Sequence, residues 1–99
     1  YIVITSMTDL RSYRSQIDYI DSRILFFLKE RMILAKRIAS KKKITNKKIL
    51  DQDRENQIIK SLLDKNKNDR IDKIKLDEIF IKRVWDLIMD YSKVIQQSN

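Results

Sequence analysis

Two cations set the chemistry open to this chain. At 100° per residue, Lys42 falls about 20° from Arg31 and three turns beyond it on a helical wheel, so both look toward one groove. The spacing suits two long side chains closing around a small anion. Arg31 also occupies a position where the surrounding pattern asks for an apolar residue. A guanidinium buried there is costly unless an anion or a carboxylate meets it. Arg14 falls about 100° from Arg31 and faces another side of the helix. It is ill placed to share that groove within one chain, but a second copy could receive it. Asp51, Arg54 and Glu55 form a further cluster, which fits either a ligand site or ordinary capping and ion pairing at a helix start. Asp18 and Asp21 suit helix-surface pairing or intersubunit contacts better than paired acid–base work. Ser92 and Gln96 are i,i+4 neighbours near the C-terminus and by themselves point to nothing. The chain has no His and no Cys. The commonest general base and metal ligand, thiolate catalysis and zinc frameworks are therefore absent from its means. Any catalysis must work by charge and position.

The elements that carry these residues follow from apolar spacing. Leu10, Tyr13, Ile17, Ile20, Ile24, Phe27, Leu34 and Ile38 recur in a 3-4-3-4 alternation, the mark of an amphipathic helix with a coiled-coil-like seam. The pattern predicts one helix from Leu10 to Lys42, with Thr8 or Asp9 as its N-cap. About 33 residues at 1.5 Å each give roughly 50 Å, against a radius of gyration of about 13 Å for a compact domain of this size. One protomer cannot cover such a seam, so the geometry calls for a second copy. Ile44 to Lys48 reads as a connection. A second helix begins near Ile49 to Asp51, with Asp51 as cap or first-turn acid; Ile58, Ile59, Leu62 and Leu63 form its apolar face, toward which Arg54 leans. Asn66 to Asp72 is a polar break. A third helix is predicted from about Asp72 to Gln97, with Leu76, Ile79, Phe80, Val84, Leu87, Ile88, Tyr91 and Ile95 as its buried stripe.

Composition agrees. Ninety-nine residues make one domain, and a chain that is 42% hydrophobic with no Gly and no Pro favours helices over sheets and tight turns. Residues 1–7 read as a flexible arm, with a start at Met7 fitting the pattern, and residues 8–99 as the domain. No apolar run approaches the length of a membrane span, and cytoplasmic location is the default. The net charge is +8, with a basic run at Lys36, Arg37, Lys41, Lys42, Lys43, Lys47 and Lys48. The run admits a nucleic-acid footprint, an anionic small substrate or a solvated helix end. Seventeen Ile and fourteen Lys against two Ala suggest an AT-rich coding bias, which raises Lys without functional demand.

Taken in order, Arg14-x-x-Ile17-Asp18-x-Ile20-Asp21, Arg31-x-x-Leu34-Ala35-x-x-Ile38-x-x-x-Lys42, Asp51-x-x-Arg54-Glu55 and Ser92-x-x-x-Gln96 resemble the all-helical (AroQ-type) chorismate mutase family. The resemblance spans Leu10 to Gln97. It implies an all-α fold, a three-helix protomer with one long N-terminal helix, intertwined with a second copy into a helical homodimer. It implies rearrangement of chorismate to prephenate, the branch step toward phenylalanine and tyrosine, with no cofactor and no metal. By the same resemblance, Arg14 (from the other subunit) and Arg31 salt-bridge the two substrate carboxylates. Lys42 and Gln96 donate to the ether oxygen of the breaking bond. Asp51 and Glu55 hold the ring hydroxyl, Asp51 mostly through its backbone, while Arg54 and Ser92 serve the carboxylate end. The first connection lacks the Gly or Pro often found in the family, and the segment between the second and third helices is somewhat long.

Three other readings compete. An isochorismate pyruvate-lyase shares the arginine and lysine framework; Ser92 with the Asp51, Arg54 and Glu55 cluster favours the mutase. A basic helical nucleic-acid-binding dimer accounts for the charge but gives no reason for Arg31 on the seam. A structural dimerisation module is the third.

Overall fold

The computed structural model describes residues 2–45, 51–68 and 74–98, and the side chains of 9–42, 51–68 and 74–98. Among the described residues the architecture is all-α: α1 (Ile2–Thr45), α2 (Gln52–Asn68) and α3 (Glu78–Gln97). The chain divides into two compact units, residues 1–34 and 35–99.

The first unit is the N-terminal part of α1. The helix starts at Ile2, not at Leu10, and continues to Thr45. Neither Thr8 nor Asp9 caps it, because no Gly or Pro in this stretch ends helical geometry upstream of them. Helical backbone thus includes residues 2–7 of the expected arm. At the other end Ile44 and Thr45 are still helical, and the rest of the expected connection lies outside the described residues. The seam lies bare in the protomer: Leu10, Tyr13, Ile17, Ile20, Ile24, Phe27, Leu34 and Ile38 are all exposed. Arg23 covers part of the surface beside it, with its guanidinium 4.9 Å from the centroid of Phe26 and 5.4 Å from that of Phe27.

The second unit holds the last turns of α1 with α2 and α3. Its buried side chains are small or slender: Ala35, Ala39, Ile81, Met89 and Ser92. Ile58, Ile59, Leu62 and Leu63 are half-buried on α2, as their spacing predicts, but Arg54 is exposed and it is Glu55 that falls in line with them. α2 and α3 are antiparallel neighbours tied at both ends. At one end Asn66 acts as a clasp: its Nδ2 donates to the Leu76 carbonyl at 2.7 Å and its Oδ1 accepts from the Leu76 N–H at 2.9 Å. At the other, Lys93 meets Glu55.

The third helix begins at Glu78, six residues later than Asp72, and Asp72 itself lies outside the described residues. Asp77 is the cap: its Oδ1 accepts from the N–H groups of Ile79 at 2.7 Å and Phe80 at 3.3 Å. The clasp on Leu76 holds the preceding backbone out of the helix, so Leu76 leaves the predicted stripe. The stripe itself is rotated. Ile81, Met89 and Ser92 are buried, whereas Ile79, Phe80, Leu87 and Tyr91 are exposed, so α3 presents apolar residues on two sides and the sequence pattern merged them.

The clasp is the sharpest local determinant of the α2–α3 reversal. Asn66→Asp removes the donor and sets a carboxylate against the Leu76 carbonyl. Thermal or urea unfolding should show a loss of about 1–3 kcal/mol. A variant as stable as the parent would mean that the turn is held by apolar packing alone.

Candidate active site

The first turn of α2 is built around Asp51. Its Oδ1 accepts the Arg54 N–H at 2.9 Å and its carbonyl accepts the Glu55 N–H at 3.1 Å. This is an N-cap, which satisfies donors that the helix leaves unpaired. The cap fixes where Arg54 and Glu55 leave the backbone. A cation in a first turn opposes the helix dipole, at a cost of about 0.3–1 kcal/mol. Asp51, Asp53 and Glu55 around Arg54 offset that cost. Glu55 is more enclosed, its side chain 17% exposed, and its Oε1 takes the Lys93 ammonium at 2.9 Å. That hydrogen bond is the largest of the causes that raise the Lys93 pKa above the ordinary lysine value; burial, next in size, opposes it, and the Coulombic attraction of Glu55 and then of Asp90 adds to the rise. The sign follows: the pair's contribution to stability is fully present below the ordinary lysine range and is lost as pH rises through the raised value.

Near the end of α3, Ser92 is buried and its hydroxyl donates to the Ile88 carbonyl at 2.9 Å, an i−4 bond that satisfies the group within its own helix. Four residues on, Gln96 is half-buried and reaches α1: its Nε2 donates to the backbone carbonyl of Ala35 at 3.2 Å. A carbonyl accepts and cannot donate, so this bond fixes which way round the amide sits. The NH₂ end is turned to α1. Lys42 is half-buried and lies seven residues, two turns, beyond Ala35 on the same face of α1. Between them, Ala35 and Ala39 leave that face of the helix clear. Lys42 thus shares a face of α1 with the residue whose carbonyl takes the Gln96 amide.

Lys42, Asp51, Arg54, Glu55, Ser92 and Gln96 all belong to the second unit. Arg31, half-buried, and Arg14, exposed, belong to the first unit. Sequence reasoning gave no role to three residues, Lys93, Ala35 and Ala39. Lys93 had no signal, since its partner is distant in the chain. Ala35 and Ala39 did: they are the only two alanines in a chain without glycine, placed where backbones must come close. Among the described residues no group of His, Cys, Asp and Glu could hold a metal ion, and no helix is long and apolar enough to cross a membrane.

The sequence pattern of one family, Chorismate mutase type II, matches residues 13–97 and so takes in all eight candidate residues. The chain belongs to the chorismate mutase type II family. Its activity is accordingly that of a chorismate mutase, an isomerase. Neither the curated proteins nor the solved structures yield a match.

The oriented amide gives a pH signature. In Gln96→Glu the group facing the Ala35 carbonyl must carry a proton to donate at all. Activity should be confined to acidic pH and fall as the carboxyl ionises, whereas the parent amide donates throughout. A pH–rate profile of the variant parallel to that of the parent would remove Gln96 as a donor.

Proposed function

We propose that the chain rearranges chorismate to prephenate by a [3,3] shift, in a site completed by a second copy of itself. In this reaction the ether C–O bond breaks as the new C–C bond forms, and no proton is transferred, so a chain without His or Cys lacks nothing it needs. What accelerates the step is confinement of a flexible substrate with its reacting carbons together, and donors aimed where charge grows. Arg14 and Arg31 serve the first need, because guanidinium–carboxylate pairs are bidentate and fix orientation as well as charge. Lys42 and Gln96 serve the second, at the ether oxygen. Asp51 and Glu55 receive the ring hydroxyl, while Arg54 and Ser92 support the carboxylate end. The observation that carries this reading is the Gln96–Ala35 hydrogen bond, because it turns a neutral donor toward the face of α1 that also bears Lys42. Lys42→Ala and Gln96→Ala should each lower kcat by about 10²–10³, the usual loss of one such donor. Isochorismate offered in parallel tests the pyruvate-lyase alternative: release of pyruvate faster than loss of chorismate would replace the proposal.

The second copy is supported by surface the protomer leaves bare. Eight seam residues of α1, from Leu10 to Ile38, are 48–64% exposed, and on α3 Phe80, Leu87, Tyr91 and Val94 are 53–72% exposed. Burying side chains of this size is worth roughly 1.5–3 kcal/mol each when complete. Exposed apolar stripes on two helices exceed what a soluble monomer ordinarily shows. An α1 of 44 residues is about 66 Å long, longer than one small domain can enclose. A partner helix along the seam covers it and brings the partner's Arg14 with it.

Subunit mixing tests this arrangement. Arg14→Ala and Lys42→Ala are each expected to be inactive. Unfolded together and refolded, they form mixed dimers in which one site has an intact Lys42 from its own chain and an intact Arg14 from its partner, while the other site has both lesions. Activity should reappear on mixing. Mixed dimers verified by native mass spectrometry that stay inactive would place Arg14 within its own chain's site, or outside the site altogether.

A further inference from the structure

Beside Ser92, α3 carries a side chain that the reading above leaves unused. Lys93 crosses to α2, its Nζ 2.9 Å from Glu55 Oε1, and also lies 3.7 Å from Asp90 Oδ1 on its own helix. The shorter contact is the drier one, for the Glu55 side chain is 17% exposed and that of Asp90 73%. The two helices border a groove of about 210 Å³. Among the described residues lining it, Lys93 is the one cation and faces three carboxylates, Glu55, Asp86 and Asp90. With those rivals present it closes on Glu55, so the contact is selected by geometry as well as by charge. The pair joins the capped first turn of α2, with Asp51 and Arg54, to the turns of α3 that bear Ser92 and Gln96.

A carboxylate placed to accept a hydroxyl from a dianionic substrate has two difficulties. It repels the dianion, and it can rotate away. An ammonium held on one of its oxygens removes both, since it supplies the opposite charge and pins the rotamer while the second oxygen stays open. We infer that Lys93 is a positioning residue for the substrate's ring hydroxyl, holding Glu55 by Oε1 and compensating its charge so that the carboxylate can accept the hydroxyl beside a dianion. The inference rests on the role given to Glu55 under Proposed function.

The test compares chorismate with its analogue lacking the ring hydroxyl, the latter as a competitive inhibitor, on the full chain and on Lys93→Met, Lys93→Arg, Glu55→Gln and the double variant Lys93→Met/Glu55→Gln. Lys93→Met should raise KM for chorismate about tenfold, as expected for one charge-assisted hydrogen bond, with kcat within about twofold and the analogue's affinity unchanged. Lys93→Arg should recover most of the loss, and the double variant should match Glu55→Gln alone. A merely structural tie would lower the melting temperature and weaken both ligands equally. An unchanged KM, equal losses for both ligands, or additive losses in the double variant would overturn the inference. Lys93→Gln, which keeps a hydrogen bond to Glu55 without the charge, replaces Lys93→Met if the latter does not fold, and is held to the same outcomes. A parent chain that does not convert chorismate would overturn the function itself and this inference with it. An active parent with any of the contrary results removes Lys93 alone.

Discussion

The amide of Gln96 can reach a backbone carbonyl in the last turns of α1 only if α1 has nothing bulky in the way. Much of the second unit is arranged around that requirement. Ala35 and Ala39 clear one face of α1, and both are buried. The approach of α3 is fixed by α2, through the Asn66 clasp at one end and the Glu55–Lys93 pair at the other. Two ties at opposite ends of an antiparallel helix pair fix rotation as well as separation. Along the pair, Ile81, Met89 and Ser92 are buried and the Gln96 amide meets the Ala35 carbonyl.

The sequence made some of this legible and not the rest, for physical reasons. Helical spacing and the absence of Gly and Pro were enough for an all-α reading with three helices, because a 3-4 apolar alternation has few other meanings. Arg31 stood out since it breaks such a pattern. The boundaries were harder. Asp72 and Asp77 are equally good caps as residue types, and what separates them is Asn66, ten residues before Leu76, whose amide holds the backbone ahead of α3 in non-helical form. Local propensity cannot see a choice made by a side chain on another helix. At the start of α1 the reverse happened: a plausible cap at Thr8 or Asp9 was overridden because nothing upstream interrupts the helix.

The stripes failed more instructively. A periodic apolar pattern says that a side is apolar, not which body covers it. On α3 the pattern joined residues of two sides, Ile88 and Ile95 with Phe80, Leu87 and Tyr91, into one broad stripe. On α1 the residues of the expected seam are exposed, and the residues buried within the protomer are Ala35 and Ala39, which lie off it. The alanines entered as a sign of compositional bias and, for Ala35, as one position of the Arg31–Lys42 motif. In a chain this rich in Ile and Lys, bias was the better reason to ask why any alanine stood where it did.

A thin core connects stability to the proposed chemistry. Among the described residues the buried hydrophobic side chains are two alanines, one isoleucine and one methionine, too little to outweigh the ordering of a domain of this length by itself. The larger apolar residues are held outward on α1 and α3. If a second copy covers them, folding and association share one equilibrium, and the protein's apparent stability depends on its concentration. On the proposal above, the same association would supply the partner's Arg14 to the site. Two cationic residues for a dianion, Arg14 and Arg31, would then be concentrated by assembly, and an isolated chain would be spared the repulsion of holding both in one empty pocket. On this view, the apolar seam and the charged site are parts of one design, in which the surface that cannot be buried alone is the surface that carries the missing arginine into place.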